Sequence, residues 1–196
     1  MKILYSSPDY AVILKPVGMN SEKEVPSALE ELFGAPAFPL HRLDKNVGGV
    51  MVYARTKAAA AALSRMIQEG QMVKEYVAMV HGTPAEEGTW EDLLFKDARK
   101  NKVFVVDRLR KGVREAKLSF RRIRTENNQS LMHIRLYTGR SHQIRVQFAS
   151  RKFPLVGDHK YGSRDDAKEP MLFSCRITFP WKGENLSYCA LPSWAE

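Results

Sequence analysis

Three short polar clusters hold the side chains best suited to chemistry in this chain. His41-Arg42-Leu43-Asp44 sets a carboxylate two residues from a guanidinium, and Lys74-Glu75-Tyr76 sets a phenol beside an acid and a cation. Thr138-Gly139-Arg140-Ser141-His142-Gln143-Ile144-Arg145 reads as a turn that enters a helix with two guanidiniums. An ionised Asp can act as nucleophile or base, a Tyr can stack on a ring or handle a proton, and an Arg can hold an anion. Singly, each cluster is commonplace: an Arg near an Asp is usually a surface ion pair, and a Tyr in a strand is usually core. Together they sit at the edges of apolar strands, where a packed sheet would point them into a cleft.

Several kinds of chemistry lack their motifs. There is no phosphate-cradling glycine loop, no dinucleotide fingerprint and no Gly-x-Ser-x-Gly elbow. His41, His81, His133, His142 and His159 are never closer than nine residues, so no helical metal pair is expected. Redox, nucleotide-driven and metal chemistry are therefore disfavoured, and the expectation is an activity without cofactor or metal. Ordinary acid, base or nucleophile chemistry remains.

Charge suggests what the chemistry acts on. The chain carries a net charge of +9, and residues 96–124 hold twelve Lys or Arg against three acids, an excess equal to that of the whole chain. The other residues balance at nineteen of each sign. Such concentration points to a polyanion-binding segment rather than charge spread for solubility. Within it, Ala116, Leu118 and Phe120 alternate with Lys117, Ser119 and Arg121, the period of a half-buried strand with a wet cationic face. Lys117 and Arg121 share that face and are candidate phosphate contacts. No stretch approaches the roughly 18 uncharged apolar residues of a membrane span, so no membrane partner is expected. Two cysteines, Cys175 and Cys189, at no metal-ligand spacing suggest a reducing, cytoplasmic compartment.

These side chains need elements to position them. Residues 10–14 read as a short apolar strand ended by the turn Lys15-Pro16-Val17-Gly18, and 27–33 as a short helix closed by Gly34. Gly49–Tyr53 predicts a strand, and Thr56 caps an alanine-rich helix that ends at Gly70. Further strands are expected at Tyr76–Val80, Val103–Val106, Ala116–Ile123 and Leu131–Tyr137. Ser141 is a candidate cap for a helix over His142–Ser150, and Met171–Phe179 with Leu186–Ala190 predicts a closing hairpin. Strands outnumber helices and many are joined directly. The expected class is α+β: a mixed, largely antiparallel central sheet with flanking helices and an active-site cleft, not a doubly wound parallel fold. A chain of 196 residues, 44% hydrophobic, suffices for one well-buried core and is marginal for two, so residues 1–196 are expected to form a single catalytic domain.

Five motifs in order, Lys15-Pro16-Val17-Gly18, His41–Asp44, Lys74–Gly82 (KEYVAMVHG), Thr138–Arg145 and Gly157-Asp158-His159-Lys160-Tyr161-Gly162, resemble the RluA-type family of RNA pseudouridine synthases. The resemblance runs almost end to end. It implies the pseudouridine synthase catalytic fold and isomerisation of uridine to pseudouridine in structured ribosomal or transfer RNA. It also implies no obligate protein partner. Asp44 matches the family's essential aspartate, which helps break the N1–C1′ bond before the base rotates and rejoins through C5. Attack on C1′ and removal of the 2′ proton are both open to it. Arg140 matches the arginine that would keep Asp44 ionised, and Tyr76 the tyrosine that stacks on the target base. Arg42 matches the residue that fills the gap left by a flipped uridine. Lys15, Arg145 and Asp158 also fall in matched motifs. Lys15 and Arg145 are candidates for substrate binding, and Arg145 and Asp158 equally for structural support.

The chain departs from the family at Val47-Gly48, where Thr-Ser is usual, and at Gln147, where His is common. No S4-type RNA-binding domain is expected ahead of the first motif. Two other readings compete. An RNA-binding protein of the same fold without catalysis is disfavoured by Asp44, Tyr76 and Arg140. An unrelated glycoside-cleaving enzyme using paired acids is the other.

Overall fold

A computed structural model describes all residues from Met1 to Glu196. In chain order the elements begin with β1 (Lys2–Ser6), β2 (Tyr10–Lys15), α1 (Glu24–Phe33), β3 (Phe38–Pro39), β4 (Gly48–Ala54), α2 (Lys57–Gln68) and β5 (Val73–His81). There follow β6 (Glu87–Asp97), β7 (Lys102–Val106), β8 (Val113–Glu126), β9 (Gln129–Leu136), α3 (Gln143–Ser150), β10 (Leu172–Trp181) and β11 (Glu184–Cys189), with short 3-10 turns at His159–Tyr161 and Ser193–Ala195. This is the expected α+β class, and the chain divides into two compact units, Met1–Lys74 with Phe173–Trp194, and Glu75–Leu172.

In the first unit the strand path is β1-β2-β4-β10, with β3 added to β4 and β11 to β10. β2 pairs antiparallel with both β1 and β4, while β4 and β10 pair parallel at Gly48 and Gly49. Every residue of β4 is buried, as a continuous apolar run requires when both faces are covered. Its side chains Val50, Val52 and Ala54 pack with Tyr10, Val12, Leu63, Ile177 and Phe179. Gly49 has φ 132°, and an added Cβ would run into the backbone of Ser174, so only glycine fits there.

Both helices of this unit follow their signals. Thr56 Oγ1 accepts from the Ala59 N–H at 3.1 Å and caps α2 as expected. α1 ends at Gly34, left-handed at φ 66°, but starts at Glu24, earlier than position 27. Pro26 is tolerated because it lies in the first turn, where its missing N–H has no helical partner to lose.

The second unit follows the path β5-β9-β8-β6-β7, with antiparallel pairing of β6 to β7 and β8 and of β8 to β9. Leu94, Val103, Ala116, Val146 and Tyr161 form a core cluster between its strands and α3. One expectation is corrected here. Ser141 does not cap α3; the helix begins at Gln143, preceded by His142 at φ 51° with no side-chain cap. The Gln143 side chain closes the turn instead, its Oε1 accepting from Thr138 Oγ1 at 2.8 Å and the Arg140 N–H at 3.0 Å.

The closing hairpin pairs Phe179 with Leu186, the residues at which its two predicted strands end and begin. Arg176 faces Cys189, and the Ala190 N–H donates to the Cys175 carbonyl at 3.0 Å. Neighbouring strand residues face opposite sides, so buried Cys175 and exposed Cys189 point apart, and neither is in a disulfide. Both thiols are therefore expected to react after denaturation without reductant. A mass spectrum showing them already joined would contradict this register.

Candidate active site

Asp44, Arg42 and Lys15 lie in the first unit. Asp44 is half-buried in the loop between β3 and β4, and its carbonyl accepts from the Val47 N–H at 3.0 Å. Two clamps fix that loop to the segment after β2. Ser21 Oγ accepts from the Leu43 N–H at 3.2 Å and donates to the Leu43 carbonyl at 2.8 Å. The Gly18 N–H donates to the Lys45 carbonyl at 2.8 Å. His41 supports the same loop: its Nε2 accepts from the Val52 N–H at 3.3 Å. Burial, with Lys74 adding to it, pushes His41 down to about 3, so it stays neutral.

Lys15 is the central tie. It is only 1% exposed, and its ammonium donates to the carbonyls of Pro16 at 2.9 Å, Met19 at 2.8 Å and Lys45 at 3.3 Å. Burial lowers its pKa from the ordinary 10.5 to about 8, while Asp44 and Glu24 pull it back up. Between those two pH values the unfolded chain holds a proton that the folded chain has released. Stability from Lys15 therefore rises as pH climbs from 8 toward 10.5 and falls again as pH drops through 8. Denaturant unfolding at pH 7.5 and 9.5 should show the wild type gaining relative to Lys15→Met. Equal changes in both proteins would contradict the assignment.

Arg42 is half-exposed and pairs with Glu22 at 3.1 Å, an ion pair that an incoming anion can open at little cost. The Val47-Gly48 departure has a packing consequence. Val47 is 1% exposed, so this position feeds the core, and a Cβ on Gly48 would lie 3.2 Å from the Lys15 carbonyl.

Tyr76, Arg140, Arg145, Lys117 and Arg121 lie in the second unit. Tyr76 is buried on β5. Arg140 is exposed, and its Nε donates to the Glu115 carbonyl at 2.8 Å, which folds the turn after β9 back onto β8. The backbone of Lys117 organises that turn, its N–H donating to Thr138 Oγ1 at 2.8 Å and its carbonyl accepting from the Tyr137 N–H at 3.1 Å. Arg145 is occupied differently. Only 4% exposed, it forms a bidentate pair with Asp158, Nε to Oδ2 at 2.7 Å and Nη2 to Oδ1 at 2.8 Å. That geometry places the Asp158 carboxylate against the Nε–Nη2 edge of the guanidinium.

The cationic face is less positive in space than along the chain. Lys117, Ser119 and Arg121 of β8 alternate with buried Ala116, Leu118 and Phe120, as expected, but β6 brings acids opposite Lys117 and Arg121. Lys117 Nζ meets Glu91 Oε1 at 2.6 Å, and Arg121 faces Glu87 across the β6–β8 ladder. Sequence reading missed β6, whose exposed positions carry Glu87, Thr89 and Glu91 rather than an apolar alternation. It also missed Tyr137, read as the end of a strand and found 49% exposed beside Lys117.

Comparison with known proteins identifies the family. Residues 9–150 match the RNA pseudouridylate synthase family. The chain belongs to that family. Ribosomal large subunit pseudouridine synthase D of Haemophilus influenzae is 33% identical over 178 residues, which cover 84% of this chain and 53% of that protein. tRNA pseudouridine synthase C of Vibrio parahaemolyticus is 29% identical, over 88% of this chain and 77% of its own length. An uncharacterized RNA pseudouridine synthase of Chloroflexus aurantiacus is 39% identical over 129 residues, 64% of this chain and 39% of that protein. The chain spans about half the length of the large-subunit synthases it matches. Human RNA Pseudouridylate Synthase Domain Containing 4 shares the fold of this family member, with a TM-score of 0.83 at 23% identity, over 99% of this chain and 90% of that one. These matches bear out the resemblance to RluA-type synthases.

Proposed function

We propose that this chain isomerises uridine to pseudouridine in structured ribosomal or transfer RNA, with Asp44 as its catalytic carboxylate. The observation that carries the reading is Asp44 itself: a carboxylate in the family's motif, on a loop tied down by Lys15, Ser21 and His41. Such a tether holds a reacting group in place at no further entropic cost during the reaction. The reaction balances without a co-reactant. The N1–C1′ bond breaks, a C5–C1′ bond forms, the C5 proton leaves and N1 ends protonated.

Tyr76 is assigned to the target base, Arg140 to holding charge at the reacting group, and Arg42 to the space vacated in the RNA. Lys117 and Arg121 are assigned to phosphates, Lys15 to holding the Asp44 loop, and Arg145 to support through Asp158. Relatives named for the large ribosomal subunit and for tRNA support RNA as the substrate. A reducing cytoplasm suits two thiols that form no disulfide and lie on opposite sides of one hairpin.

The test maps pseudouridines in the RNA of cells with and without the gene. Loss of one or a few defined positions, restored by the wild-type gene and not by Asp44→Asn, is expected. An unchanged map would overturn the reading. Activity of the purified chain is expected to persist in EDTA without added nucleotide; loss on chelation with rescue by zinc would overturn the cofactor-free mechanism.

A further inference from the structure

An aromatic side chain, Tyr137, stands on the surface of the second unit rather than in its core. It follows β9 directly, is 49% exposed, and its N–H is pinned to the Lys117 carbonyl. The β8–β9 register pairs Leu118 with Leu136 and Ser119 with Arg135, so Lys117 and Tyr137 form the next row on the wet face. Four side chains thus mark the corners of a patch: Lys117 and Tyr137 in one row, Ser119 and Arg135 in the other.

The Tyr137 ring lies along one diagonal of this patch. Its hydroxyl reaches Ser119 Oγ at 3.3 Å. The cations hold the two remaining corners, with Arg135 Cζ 5.3 Å and Lys117 Nζ 5.7 Å from the ring centroid. An aromatic ring anchored at its far end, half open to solvent and flanked by two cations, has the parts of a stacking platform for a nucleobase. Both cations lie over the ring on flexible exposed side chains, so a base that displaces one of them meets a π-face that any base can use, while the displaced cation turns to the phosphates. Charge narrows the occupant, because neutral or basic partners gain nothing from Arg135 or from Lys117, whose exposed pair with Glu91 a phosphate can open at little cost.

We infer that Tyr137, with Arg135 and Lys117, stacks an unpaired nucleotide of the RNA and holds its phosphates. The inference rests on the reading of this chain as an RNA-modifying enzyme and adds a binding position apart from the residues assigned to chemistry. Phosphate contacts orient a strand without regard to its bases, whereas Tyr137 makes part of the affinity depend on a base being present.

The test uses the full chain and two labelled probes of equal length, a 12-nucleotide oligouridylate and an abasic ribose-phosphate strand. Wild type is expected to bind the oligouridylate more tightly than the abasic strand. Tyr137→Ala should lose about fivefold or more on the oligouridylate, the low end of a single base–aromatic stack, and should bind the abasic strand as before. Tyr137→Trp should keep the preference for bases. Three results would each overturn the platform: no preference in wild type, equal losses on both probes, or no loss on either. Pseudouridine formation measured on the same preparations separates the two ideas. A wild type that makes pseudouridine but shows no Tyr137 dependence sinks only the platform. A base-dependent Tyr137 effect without pseudouridine formation sinks only the enzymatic reading.

Discussion

Asp44→Asn is expected to fold, to bind RNA like the wild type and to make no pseudouridine. Asn has the size of Asp, and the loop is held through backbone groups that the change leaves in place: the Asp44 carbonyl, the Lys45 carbonyl and both backbone groups of Leu43. What disappears is the negative charge. An amide can neither attack C1′ nor remove a 2′ proton, so the change is severe on either route. Loss of a positioned general base lowers rates by about 100- to 10,000-fold, and loss of a nucleophile by more. Residual product formation above roughly a tenth of the wild-type rate would take the role away from Asp44.

Asp158→Asn is expected to have the largest effect on stability. It leaves the Arg145 guanidinium buried opposite a neutral amide, and breaking a buried pair from one side costs about 3–5 kcal/mol. For a chain of this size that lowers Tm by about 6–20 °C. Replacing both partners with apolar groups, as Arg145→Met with Asp158→Leu, removes the stranded charge and should recover most of the loss. The double variant also decides what Arg145 does. If Arg145 acts as support, the repacked protein should retain RNA binding and turnover. A double variant that melts like the wild type yet no longer binds RNA would return Arg145 to the substrate.

The fold was largely legible in the sequence because its signals are local and strong. The apolar runs of β2 and β4, the Thr56 cap, the Gly34 stop and the alternation at 116–121 each act within a few residues. β6 was not legible, since a strand that faces solvent on one side and carries Glu87, Thr89 and Glu91 there lacks an apolar period. Missing it hid the acids that face Lys117 and Arg121, and a charge count along the chain cannot register a pairing made across strands. The cap of α3 misled for a similar reason. A hydroxyl at Ser141 sits where a cap should be, but the turn is closed by a longer side chain, Gln143, reaching back to Thr138 and Arg140.

The motif residues themselves were visible, while their separate tasks were not. Arg140 and Arg145 share one motif and one side-chain chemistry, yet one is exposed and the other is buried against a carboxylate. Only burial and partners tell them apart. Tyr76 and Tyr137 make the same contrast, as both are tyrosines in strand-like sequence and only one is open to solvent.

Release of tritium from RNA labelled at uridine C5 tests the central claim most directly. Isomerisation joins C5 to C1′ and must expel the hydrogen that C5 carried, whichever route the carboxylate takes. The purified chain, given RNA from cells lacking the gene, is expected to release tritium up to a fixed plateau of one per modified uridine, and Asp44→Asn is expected to release none. No release by the wild-type chain from that RNA, or equal release by Asp44→Asn, would contradict the account.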